Sequence, residues 1–196
     1  MPQLARSSVP LAPRPARGSV SGFTIPFQGL YHSTLHFWQR LQAARVSHDD
    51  PIETWHWDTY ALAAQVFAAL TAEAQLNTYG LVRFGEELFE REFRWKGPIT
   101  RLQRMVARGA GVELPRSDAL VRTLASLMDK RDPIVHMRSN EEKFDHSGHI
   151  IKAAPPPPHH LGRAQAAVEE MRAFLGGFAA LVSQHDPESL AYIMMV

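Results

Sequence analysis

Nowhere in this chain do apolar and polar residues alternate with period two for long enough to make a half-buried strand. What recurs instead is helical spacing. Over residues 53–93, Val66, Leu70, Ala74, Leu81, Phe84 and Leu88 return at helical intervals, with many Ala between them. Ala is the strongest helix former, so this stretch is read as one long helix. Gly80 and Gly85 weaken the run and mark close packing or a bend. Glu73 and Asn77 stand four apart and therefore share a face.

Other segments repeat the pattern. Leu30, Phe37, Trp38 and Leu41 define a first amphipathic helix over roughly 29–46, followed by a polar turn from Val46 to Pro51. Pro98 suits a first helical position. From there Ile99, Leu102 and Val106 form an apolar stripe, Arg101, Arg104 and Arg108 line another side, and Gly109 and Gly111 end the helix. Ser117 or Asp118 can cap the next helix, which runs to about Lys130. The residue before a proline avoids helical geometry, so a break is expected at Asp132, with Pro133 opening a short new helix. A last helix over roughly 161–184 presents Val168, Met171, Leu175, Phe178 and Val182 on one face. The fold class is all-α, a bundle of four or five helices. The Pro-rich residues 1–26 read as a flexible arm, 27–186 as a single domain and 187–196 as a C-terminal tail. Pro155 to Pro158 reads as a stiff connector.

Composition excludes several classes of function. Without Cys there are no disulfides and no thiolate metal sites, which fits an intracellular protein. No apolar run approaches a membrane span and the N-terminus has no apolar signal core, so a cytoplasmic protein with no membrane partner is expected. His146 and His149, or His159 and His160, lack a believable set of metal partners, and no Gly-rich phosphate loop or nucleophile elbow is present. Neither a metal nor another cofactor is expected. The net charge of +1 conceals an asymmetry: residues 91–138 carry eleven Lys and Arg against five Asp and Glu. A basic third of the chain favours a polyanionic partner or is a solvated face.

Within that third, Leu120, Leu124 and Leu127 sit at helical spacing, and Arg131 falls one step further along the same stripe. A guanidinium on a core-facing stripe is costly to bury without a partner or a role. Pairing with Glu73 would fix helix register and give it one. His136 follows five residues later, so a permanent cation for an anion and a titratable ring for a proton lie close in sequence.

This arrangement resembles a HEPN domain, a family of small helical bundles whose signature is Arg, four to six residues, then His, often with Asn or Asp after the Arg. Arg131-Asp132-Pro133-Ile134-Val135-His136 has that form with the shortest spacing. The segment Glu73-Ala74-Gln75-Leu76-Asn77 is similar to the acidic residue and Asn on the family's earlier helix. The resemblance covers roughly residues 55–180, and Pro133 departs from the commoner pattern.

The resemblance implies a metal-independent endoribonuclease, often a toxin or antiviral defence effector, that acts as a homodimer and is paired in some systems with an antitoxin protein. His136 would take a proton from a ribose 2′-hydroxyl, and Arg131 would hold the phosphoryl oxygens. A new helix at Pro133 would bias His136 toward its neutral form and offer the amides of Ile134 and Val135 to an anion. Asp132, Glu73 and Asn77 would support the pair. Lys130, Arg138, Arg101, Arg104 and Arg108 are candidates for RNA contact, and Trp55, Trp57 and Trp95 either stack on bases or pack. The alternative is a non-catalytic helical module of the same type that binds RNA, nucleotide or a partner protein.

Overall fold

The computed structural model describes residues 26–44, 51–135 and 160–193, with the side chains at 26, 44, 51–58, 160 and 191–193 excepted. The first 25 residues, the turn at 45–50, the Pro155–Pro158 connector and residues 136–159 lie outside it. Among the described residues there is no strand, and seven helices follow in order: α1 Pro26–Ala44, α2 Pro51–Phe84, α3 Glu86–Glu92, α4 Pro98–Ala110, α5 Ala119–Val135, α6 His160–His185 and α7 Pro187–Ile193. The all-α reading holds, with more and shorter helices than the periodicity predicts.

The central element is α2, which packs against α1, α5 and α6 and also meets α4 and α7. Many of its buried side chains are small, Ala61, Ala64, Ala68, Ala69 and Ala72, and they lie beside the buried Gln65, Thr71 and Gln75. The predicted stripe of Val66, Leu70, Ala74 and Leu81 is only half-buried. A helix covered on several sides hides more than one face, and the closest approaches go to the smallest residues. Larger residues take over lower down, where Leu76 and Tyr79 are buried with Phe174 and Phe178 of α6. Tyr79 meets Phe178 edge-on at 5.4 Å, and the rings of Phe174 and Phe178 stack at 5.7 Å. Each such burial contributes ~2–3 kcal/mol. Near the middle of α1, the hydroxyls of Thr34 and Thr71 meet at 3.2 Å, which joins α1 to α2.

The single helix expected over 53–93 is two. Gly85 has φ 77° and ψ 163°, an extended positive-φ conformation that glycine alone adopts readily; it ends α2, and α3 starts at the next residue. Gly80 is a site of close approach, since a Cβ there would lie 2.6 Å from Met105 Sδ and from the Phe89 ring. Glu86 and Glu87 at the start of α3 and Arg91 in its last turn complement the helix dipole. Pro98 opens α4, and Gly111, with φ 69°, closes it in the left-handed form. Asp118 is the cap of α5, its Oδ1 accepting from the Leu120 amide at 2.8 Å.

At the C-terminal end, the presumed tail contains α7. Asp186 and Ser189 are buried, Arg83 Nε lies 3.2 Å from Asp186 Oδ2, and Ser189 Oγ donates to the same carboxylate at 2.9 Å. An ion pair between the end of α2 and the α6–α7 joint holds the chain's last helix on the bundle.

Candidate functional site

The stripe on α5 places Arg131 as its spacing predicts: Leu120, Leu124 and Leu127 are buried, and the Arg131 side chain, at the rim of the same face, is 16% exposed. Its Nη1 donates to Glu73 Oε2 at 2.9 Å, while Nε and Nη2 donate to Asp132 Oδ1 at 3.0 and 2.8 Å. Glu73 reaches it from α2 and is 20% exposed. The other oxygen of that carboxylate, Oε1, accepts from Arg101 Nη1 at 3.2 Å. One acidic side chain thus serves guanidinium groups from α4 and α5.

Arg101 completes the cluster from the first turn of α4. Its Nη1 also donates to Asn77 Oδ1 at 2.5 Å, and its Nη2 donates to the carbonyls of Arg94 and Lys96 at 2.9 and 2.8 Å. The expected shared face of Glu73 and Asn77 is therefore real and polar, and it points at α4. Two guanidinium and two carboxylate groups leave the cluster close to neutral, which is what a largely dry site between helices requires.

Donor counting separates the two arginines. An Arg has five N–H donors. Arg101 spends all four terminal ones, is 8% exposed and has its Nε buried without a partner among the described residues. Arg131 spends three, and among the described residues one N–H on each terminal nitrogen has no partner, at a partly exposed position. Only Arg131 retains the two-pronged donor set that an anionic ligand would meet.

Several expectations need correction. Arg101 is not part of a solvated basic stripe with Arg104 and Arg108. It turns inward, on the side of Met105 and Gly109, which are also buried. Arg108 pairs with Glu92, and Arg104 is exposed. Lys130 donates to Ser126 Oγ at 2.7 Å and to both Glu170 oxygens at 2.8 Å, so its charge joins α5 to α6. The break at Asp132 does not occur either: α5 continues through Pro133 to Val135. The anchored Arg131 side chain holds the turn that precedes the proline, and the missing amide costs little beside Asp129, which is exposed. With no new helix there, the N-terminal dipole argument for a neutral His136 falls. The amides of Ile134 and Val135 lie in a continuous helix and point back along its axis.

His136, Arg138, His146, His149 and His159 lie outside the described residues, as do the side chains of His160, Trp55 and Trp57. Trp95 is described and stands in the α3–α4 turn, 81% exposed. Among the described residues no group of three or more His, Asp or Glu could hold a metal ion, and no helix is long and apolar enough to cross a membrane. A cleft of about 610 Å³ opens beside α3 and α4, and Arg131 does not line it. Sequence reasoning missed Glu170 and Glu92 as partners of Lys130 and Arg108, because nothing in periodicity links residues on separate helices. Comparisons with protein-family models, with curated proteins and with solved structures give no match.

Proposed function

We propose that the protein is a metal-independent endoribonuclease of HEPN type, with Arg131 and His136 as its reacting pair. The observation that carries this reading is the state of Arg131: oriented by Glu73 and Asp132, partly exposed, and with two N–H donors that have no partner among the described residues. In the reaction, the His136 imidazole takes the proton of a ribose 2′-hydroxyl, whose oxygen attacks the adjacent phosphorus. The bond from phosphorus to the 5′-oxygen breaks, and the imidazolium returns a proton to that oxygen. The two remaining Arg131 donors stabilise the charge that builds on the phosphoryl oxygens. The products are a 2′,3′-cyclic phosphate and a 5′-hydroxyl. Resemblance to the family adds a homodimer with both pairs facing one cleft, and a toxin or defence role in the cytoplasm.

The test is incubation of purified protein with single-stranded RNA in EDTA, beside Arg131→Ala and His136→Ala. Cleavage by the parent protein that both variants lose, with cyclic phosphate ends, supports the proposal. Equal cleavage by all three proteins, or none by any, overturns it. Arg131→Ala also removes the bonds that its guanidinium makes to Glu73 and Asp132, so the two variants are compared with a helical circular-dichroism check of folding. A second reading, a binding module without catalysis, is favoured by one observation: Glu73 and Asp132 already neutralise the Arg131 charge. It predicts RNA binding with no cleavage.

A further inference from the structure

Trp95 is one of two large apolar side chains left strongly exposed among the described residues, the other being Val135. The indole presents its surface to solvent, where a flat ligand can reach it. Its backbone is nevertheless fixed. The carbonyls on either side of it, those of Arg94 and Lys96, both accept from the buried Arg101 Nη2. The ring is thus presented on a held turn, and Arg94 lies over it with its guanidinium carbon 5.5 Å from the ring centroid.

The surroundings are cationic. Lys96 and Arg104 line the adjoining cleft together with Arg91 and Arg108, against Glu92 and Glu113. Arg91 and Arg108 are engaged with Glu92, whereas Lys96 and Arg104 make no ion pair among the described residues. We propose that this turn is a docking platform for single-stranded RNA, with the Trp95 indole stacking on a base and Lys96 and Arg104 taking neighbouring phosphates. A flat ring amid uncommitted cations matches a ligand that carries both a π-face and a charged backbone. An apolar protein partner would need apolar neighbours around the indole, and the turn supplies Arg94 and Lys96 instead. Arg101 links the platform to the Arg131 site, because the guanidinium that holds the turn also binds the carboxylate that holds Arg131.

The inference rests on RNA being the substrate, so binding is measured separately from cleavage. A labelled 2′-O-methyl oligonucleotide of about 12 nucleotides, which cannot be cut through a 2′-hydroxyl, is titrated with the full chain by fluorescence anisotropy. Trp95→Ala weakens binding about tenfold or more, and Trp95→Phe weakens it less. Lys96→Ala with Arg104→Ala lowers the slope of log affinity against log salt by about 1.4. Quenching of tryptophan emission on binding disappears in Trp95→Phe. Binding that Trp95→Ala leaves intact overturns the platform while sparing the ribonuclease reading. Trp95-dependent binding without cleavage of ordinary RNA does the reverse. Equal competition by polyglutamate, or no binding at all, overturns the platform as well.

Discussion

Replacing Glu73 with Ala removes the one carboxylate that two guanidinium groups share. Arg131 keeps both bonds to Asp132, so its loss is a single charged hydrogen bond. Arg101 keeps Asn77 and two carbonyls but loses its only carboxylate partner at a site 8% exposed. A charged hydrogen bond contributes ~1.5–3 kcal/mol, and breaking a fully buried pair costs ~3–5 kcal/mol. Glu73 is itself 20% exposed, and its bond to Arg101 is long at 3.2 Å, both of which place the total cost at the lower end of the buried-pair range. The expected destabilisation is ~3 kcal/mol. For a chain of 196 residues that lowers Tm by about 6–12 °C.

Urea unfolding followed by helical circular dichroism measures this, provided the slope m stays constant between variants. Arg131→Ala, which leaves the Glu73–Arg101 pair intact at a more exposed position, costs less, ~1.5–2 kcal/mol. Adding Arg101→Met to Glu73→Ala recovers part of the loss, because no buried charge then remains uncompensated. A Glu73→Ala penalty below ~0.5 kcal/mol, or one no larger than that of Arg131→Ala, refutes the shared-carboxylate account.

Two further perturbations test the packing. A Cβ at position 109 would stand 2.3 Å from the Tyr79 hydroxyl, and Tyr79 is fully buried, so Gly109→Ala costs about 2–3 kcal/mol in the same unfolding assay. Gly176→Ala, which meets nothing within 4 Å on α6, gains up to ~1 kcal/mol. If the two substitutions act alike, the close contact between α2 and α4 is not what demands glycine. Pro133→Ala restores an amide to the last turn of α5 and stabilises by ~0.5–1 kcal/mol; a lower Tm would show that the proline is needed there.

Where a helix touches the core along one side, its face is legible. Leu120, Leu124 and Leu127 point to Arg131, and Leu102 and Val106 mark the inner side of α4. Caps and stops are legible for the same local reason, as at Pro98, Gly111 and Asp118. Arg101 was not, because its arginines can be grouped as 101, 104 and 108 on a wet face or as 101 beside Met105 and Gly109 on a dry one. Periodicity alone does not choose between them. The inner face of α2 was misread because a helix with neighbours on several sides has no single stripe. At α7, seven residues carry too little pattern to announce a helix, and the ion pair of Arg83 with Asp186 that seats it joins positions far apart in sequence. Glu73 as the partner of Arg131 could be anticipated, since a semi-buried cation needs a carboxylate and few acidic residues lie on apolar faces.

The methyl-faced central rod sets the tolerances of the whole bundle. Ala61, Ala64, Ala68 and Ala72 are all but fully buried, in an interior packed to the density of an organic crystal. Change there is costly in both directions: Gly gives up about 1 kcal/mol of helix propensity, and a larger side chain must push its neighbours outward. Drift in this sequence therefore has room at the half-buried Val66 and Leu70, whereas the plainest residues on the axle are the ones least free to vary.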